Sequence, residues 1–158
     1  MTITDFGGNK CVVGVDGTVF SVPLSAEEIA QQQVDSAAAV VRFGQRNVDG
    51  LLDAKLTAGF NDPVTGKTWQ CDSESRGNWS SLASSAGLAM ALGVSPLPTF
   101  TLIAADNTQI ALSAADTLAL FQNRVMPWVS ACVLYARSLK DQYIAGTPPA
   151  DITQGWPT

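Results

Sequence analysis

Histidine is absent from the chain. That absence removes histidine-based triads, Cys–His nucleophile pairs, HExxH zinc sites and any switch near neutral pH that depends on an ordinary imidazole. Charge is also scarce: 9 Lys and Arg with 14 Asp and Glu make up 15% of the 158 residues, against roughly 25% in an average soluble domain. The surface must then be finished with Ser, Thr, Asn, Gln and Ala, which suits a protein whose faces are covered in an assembly. The three cysteines, Cys11, Cys71 and Cys132, are far apart and make no CxxC, which argues against a disulfide framework and a thiolate metal site. The net charge of −5 repels phosphate and anionic lipid, so nucleic acid is excluded as an expected partner. The first ten residues lack a basic stretch followed by an apolar run, and no secretory signal is read there. No charge occurs between Arg76 and Asp106, but Asn78, Ser80, Ser81, Ser84, Ser85, Pro96 and Pro98 interrupt that stretch, so membrane insertion is not expected.

What is present is a hydrophobic fraction of 46%, enough for one well-filled core. Asp16-Gly17 between two β-branched runs predicts a hairpin at the start of the chain. Ser25 and Glu28 form a capping-box pattern that starts a helix near Ala26. Ile29, Val34, Ala37, Val41, Val48, Leu52 and Leu56 carry that helix to about Ala58, with a break or bend expected between Val34 and Gly50 because Gly44 and Gly50 weaken it. Asn61, Asp62, Pro63 and Gly66 predict a second hairpin. Asp72 or Ser73 caps a helix over 74–92, and Gly93 stops it. Thr99 to Leu112, turning at Asp106-Asn107, predicts a third hairpin. Ser113 caps the longest helix, in which Leu118, Phe121, Val125, Trp128, Cys132, Tyr135 and Leu139 form one apolar stripe, and an apolar arc so wide reads as the central helix of a core ahead of a free coiled coil. Pro127 inside it predicts a kink. Beyond Lys140 the Pro- and Gly-rich end is expected to fold back on Ile152 and Trp156.

The motifs that resemble chemistry resolve into local structure. Thr65-Gly66-Lys67-Thr68 looks like the end of a phosphate-binding loop, yet Asn61 stands where the earlier glycine belongs and a strand-like run follows, so it reads as a hairpin turn. Asp49 and Asp53, four apart on one helical face, read as solvated charges. Asp72, Glu74, Asp106 and Asn107 sit where caps or turns need them. The serines at 80, 81, 84 and 85 have neither a nucleophile elbow nor a base. No catalytic, cofactor-binding or metal-binding residue is therefore expected, and no enzyme activity. Trp69, Trp79, Trp128 and Trp156 read as core or interface anchors.

Ala58-Gly59-Phe60, the turn at Gly66, Trp69 to Asp72, the Ala105-Asp106-Asn107 turn followed by Ile110 to Asp116, the run Ala136 to Lys140 and the ending Asp151 to Pro157 recur in one order. From about Val40 onward that order resembles a domain of unknown function found in tailed-phage tail and tail-fibre proteins. Where the family often has Trp before its Asp-Asn turn, this chain has Leu102. The resemblance implies a virion structural role in the tail, after synthesis in the host cytoplasm, with other virion tail proteins as partners and no catalytic residues.

The expected fold is α+β: short antiparallel hairpins packed on a long C-terminal helix and two further helices, with an N-terminal hairpin segment. Residues 1–35 are expected to be an attachment segment and residues 36–158 a small α+β domain. Val12, Val13, Val19 and Phe20, on a two-stranded hairpin too small to be stable alone, form the candidate partner interface. Self-association is expected from the low surface charge and the 118–139 stripe, with a trimer implied by the family resemblance. The competing functions are a host-receptor-binding or fibre-assembly chaperone module and a small carboxylate-dependent hydrolase.

Overall fold

The computed structural model describes residues 3–4 and 9–158, and the chain divides into two units between Phe43 and Gly44. In the first unit β1 (Ile3–Thr4), β2 (Asn9–Val13) and β3 (Val19–Pro23) form an antiparallel sheet in that order. The expected two-stranded ribbon thus has a third strand, because Ile3 and Thr4 pair with Cys11 and Lys10. Its turn is closed by the Gly14 amide donating to the Thr18 carbonyl at 2.7 Å and by Thr18 donating to the Asp16 carboxylate, with Gly17 at φ +83°. Positive φ at that position is the reason an Asp-Gly pair turns a ribbon.

α1 (Ala26–Ala58) begins at the capping box: the Glu28 amide donates to Ser25 Oγ at 3.2 Å and the Ser25 amide to the Glu28 carboxylate at 2.8 Å. The helix is unbroken from Ala26 to Ala58, so the expected break between Val34 and Gly50 is not found. Each glycine weakens a helix by only about 1 kcal/mol. At Gly44 the missing Cβ is also used, since the ring of Tyr143 lies where that carbon would be.

The second unit, residues 44–158, is α+β. Gly59, at φ +91° and pressed against the Trp69 carbonyl, turns the chain out of α1 into the hairpin β4 (Phe60–Asp62) and β5 (Lys67–Trp69). α2 (Ser73–Ala91) is capped by Asp72, which accepts from the Ser75 amide at 2.8 Å. The hairpin β6 (Thr99–Ile103) and β7 (Gln109–Ser113) turns at Asn107, φ +62°. Ser113 then caps α3 (Ala114–Leu120) by accepting from the Asp116 amide.

A single wide turn of π-helix, Phe121–Val125, joins α3 to α4 (Met126–Ile144). The Met126 amide donates to the Phe121 carbonyl five residues back, and Pro127 falls in the first turn of α4. Where the sequence predicts a kink at Pro127, the structure places this π-turn immediately before it.

The core gathers Leu56, Phe60, Trp69, Trp79, Leu102, Leu120 and Trp128. Trp69 meets Trp79 edge to face at 5.2 Å, and Phe60 lies 5.8 Å from Trp128, the spacings at which aromatic pairs add to simple burial. A second cluster sets Val48 of α1 on Ala136 and Leu139 of α4, with Tyr143, Ile152 and Trp156 packed around it. The C-terminal end is pinned as its sequence implied: Tyr135 donates to the Gln154 carbonyl at 2.6 Å, and the Trp156 indole donates to the Ile152 carbonyl at 2.8 Å.

Two glycines of α1 separate packing from helix propensity. A Cβ at residue 50 meets nothing within 4 Å, so Gly50→Ala should raise stability by about 1 kcal/mol. Gly44→Ala should lower it, because the new methyl meets the Tyr143 ring, and Tyr143→Ala should return part of the loss. Thermal unfolding followed by tryptophan fluorescence checks this, and equal gains from both glycine substitutions would contradict the packing at Gly44.

Candidate functional site

The hairpin residues are placed by strand register. Val12 stands opposite Phe20 and Val13 opposite Val19; directly paired residues share a face and neighbours along a strand alternate. Val12 and Phe20 therefore lie on one face of the ribbon, Val13 and Val19 on the other. All four are exposed, Val19 and Val13 to more than half of their surface. Lys10, on the Val12 face, ties the sheet to the start of α1 through an ion pair with Glu28 at 2.5 Å. The Lys10 ammonium and the Ser25 amide lower the Glu28 carboxyl to about 2. Along α1 in this unit Ile29, Val34, Val40 and Phe43 are exposed as well, and none of residues 9–43 is buried.

The second unit brings its polar side chains together differently from the sequence reading. Asp62, expected only to make a turn, is buried to 2% exposure. Its carboxylate accepts from Arg124 Nη1 at 2.8 and 3.0 Å, from the Thr65 hydroxyl at 2.6 Å and from the amides of Val64 and Thr65. The Thr65 hydroxyl also accepts from the Trp69 indole at 3.3 Å, so the network joins the β4–β5 turn to the π-turn that carries Arg124. Burial pushes the Asp62 carboxyl up; the Thr65 hydroxyl, the two amides and the Arg124 guanidinium outweigh it and hold the group below its ordinary value. Nothing in the sequence around Asp62 separates this role from a turn residue, and the only signal for Arg124 is a cation inside an apolar helix.

The other candidates are each occupied locally. Asp49 pairs with Lys140, and Lys67 with Asp106 at 2.8 Å. Lys67 also donates to the Thr108 hydroxyl, so the phosphate-loop lookalike is a strand side chain engaged with the neighbouring hairpin. Asp72 caps α2. Burial raises the Cys71 thiol to about 11 and the Cys132 thiol above its ordinary value, which makes both poor nucleophiles at neutral pH. Among the described residues no group of three or more Cys, Asp or Glu is arranged to hold a metal ion, and no helix is long and apolar enough to cross a membrane.

The stripe from Leu118 to Leu139 lies mostly inside the second unit: Val125, Trp128, Cys132 and Leu139 are buried. It serves the unit's own core, as the width of its apolar arc implied, and so offers less spare area for self-association than the sequence reading counted on. The exposed apolar side chains concentrate instead in residues 12–43, with a smaller group at Leu88, Leu92, Val94 and Leu97 around the end of α2.

The family described as "Domain of unknown function (DUF4376)" is matched over residues 45–154, and the chain belongs to that family. No curated protein and no solved structure matches it. The matched stretch lies within the second unit and begins one residue after Gly44.

Removing one partner of the Asp62–Arg124 pair should be costly, because the other charge stays behind without its counter-ion. Asp62→Asn and Arg124→Met should each destabilise the second unit by about 3 kcal/mol or more, and the double variant by less than their sum. The carboxyl of Asp62 is depressed in the folded state, so its contribution is complete above the unfolded value of about 4 and is lost as pH falls below it. Urea unfolding should show that acid limb in the natural chain and a flatter one in Asp62→Asn.

Proposed function

We propose that this member of the DUF4376 family is a structural protein of a bacteriophage virion, associated with the tail or tail fibre, that acts through protein-protein assembly and not through catalysis. The observation that carries the reading is the contrast between its two units. The family region packs its tryptophans into a core of its own, whereas residues 9–43 bury no side chain and expose apolar residues on both faces of a ribbon. A small sheet with both faces uncovered gains stability only against another surface. β3 is an edge strand of that sheet, and an edge strand offers free main-chain groups to a neighbouring chain, with Phe20 and Val22 available to set register.

The tail assignment rests on the resemblance carried by Ala58 to Phe60, Trp69 to Asp72, Ala105 to Asp116 and Asp151 to Pro157. The absence of catalysis is supported by the engagement of Asp49, Asp62, Asp72 and Asp106 in ion pairs, caps and turns. Val12, Val13, Val19 and Phe20 are assigned to the contact with another tail protein.

Mass spectrometry of particles purified from the virus that encodes the chain should find it at a fixed copy number per particle; its absence from washed particles would overturn the assignment. Deletion of residues 1–24 should leave the tryptophan-monitored melting temperature within a few degrees of the full chain while incorporation is lost. Precipitation, or a midpoint many degrees lower, would make the ribbon part of the chain's own core instead.

A further inference from the structure

The hairpin β6–β7 has one edge that the chain itself covers only at its end. The Ala104 amide donates to the Thr108 carbonyl at 2.9 Å, and the Ala104 carbonyl accepts from the Asn107 amide. Main-chain groups of successive strand residues point to opposite sides. Ala104, Leu102 and Phe100 are therefore turned to β7, and Ala105, Ile103 and Thr101 to the other side. At Ala105 that other side is occupied, because its amide donates to the Thr68 carbonyl of β5 at 2.9 Å. β5 ends at Trp69 and the chain leaves through Gln70 into α2. Among the described residues the outward amides and carbonyls of Thr101 and Ile103 thus have no main-chain partner. They border a groove of about 220 Å³ between β6 and α2, lined by Trp79, Leu82 and Leu102 with the Gln70 and Asn78 carboxamides beside them. Thr101, Leu102 and Ile103 all line it; neighbouring side chains alternate between faces, so the groove runs along the edge of the strand.

We propose that this groove binds an extended, uncharged peptide segment of another protein, which adds to β6 as a strand and sets an apolar side chain against Trp79, Leu82 and Leu102. Free main-chain groups two residues apart, about 7 Å along a strand, are matched by another extended backbone, whereas a helix already has its amides and carbonyls paired. The volume is below the roughly 300–1,000 Å³ of small-molecule pockets. No charged residue lines the groove, and none stands between Arg76 and Asp106. A charged side chain entering it would lose water without gaining a counter-ion, so complementarity selects a neutral segment. The Gln70 and Asn78 carboxamides each donate and accept, which suits the second edge of an incoming backbone. In this mode main-chain bonds give affinity and the side-chain pocket gives sequence preference. The site lies wholly in the family region and holds or fails independently of membership in a virion.

The probe is an array of synthetic octapeptides in which Val, Ile, Leu or Phe alternates with Ser, Thr or Asn. The labelled full chain should bind a subset of them, and N-methylation of one of the two alternating sets of peptide amides should weaken that binding about tenfold. Thr101→Pro removes one outward amide and leaves the ladder to β7 intact. It should weaken binding by a similar factor, while Thr101→Val, which keeps the amide, should bind as the natural chain does. Leu82→Lys should weaken binding as well. Tryptophan-monitored melting shows whether each variant is folded, and the N-methylated peptides test the edge on the natural chain should Thr101→Pro unfold. Failure to bind any peptide of the array would overturn the proposal, as would binding indifferent to N-methylation or to a folded Thr101→Pro. A doubled mass of the natural chain in light scattering, abolished by Thr101→Pro, would assign the edge to a second copy and overturn the choice of partner.

Discussion

An amphipathic helix is stable in water only where its apolar side is covered, since propensity alone leaves a short helix marginal. α1 meets that condition in one half of its length. From Gly44 onward Val48 and Leu56 are buried against the second unit's own side chains. From Ala26 to Phe43 the same helix, with Ile29, Val34, Val40 and Phe43 exposed, has no such cover. The division of the chain at Phe43 and Gly44 is therefore a division between apolar surface that is satisfied internally and apolar surface that is left exposed.

The satisfied half is organised around a buried charge. Asp62 has no exposed side-chain surface and Arg124 retains little, so their attraction is poorly screened and the remaining carboxylate lone pairs must find donors. Thr65 and the amides of Val64 and Thr65 supply them. The wide π-turn that carries Arg124 and the proline after it belong to one solution: the helical path from Ala114 to Ile144 is re-spaced once, at the place where a cation must reach the β4–β5 turn. Such re-spacings are frequent at functional sites; here the one in view serves a structural ion pair.

Most of the local architecture was legible because it depends on neighbouring residues. Asp16-Gly17, Ser25 with Glu28, Asp72, Ser113 and Asp106-Asn107 each act within three positions of themselves, and the turns and caps lie where those residues point. What was not legible depends on distant partners. Asp62 reads as a turn residue whether or not an arginine far along the chain arrives beside it. Gly44 reads as a weak point in a helix until Tyr143 is seen to occupy its missing side chain. The Leu118–Leu139 stripe has the periodicity of an interface and of a core helix alike, and only the placement of Trp128, Cys132 and Leu139 inside the second unit decides between them. The four candidate residues of the ribbon are exposed.

We propose that residues 26–43 gain their stability from other chains and residues 44–58 from this one. Amide hydrogen exchange of the intact protein across a dilution series tests it most directly, because both stretches belong to a single helix and serve as each other's control. The account predicts slow exchange in 44–58 at every concentration, and exchange in 26–43 that quickens sharply once dilution separates the chains. Protection of 26–43 that equals that of 44–58 in the dilute monomer would contradict it.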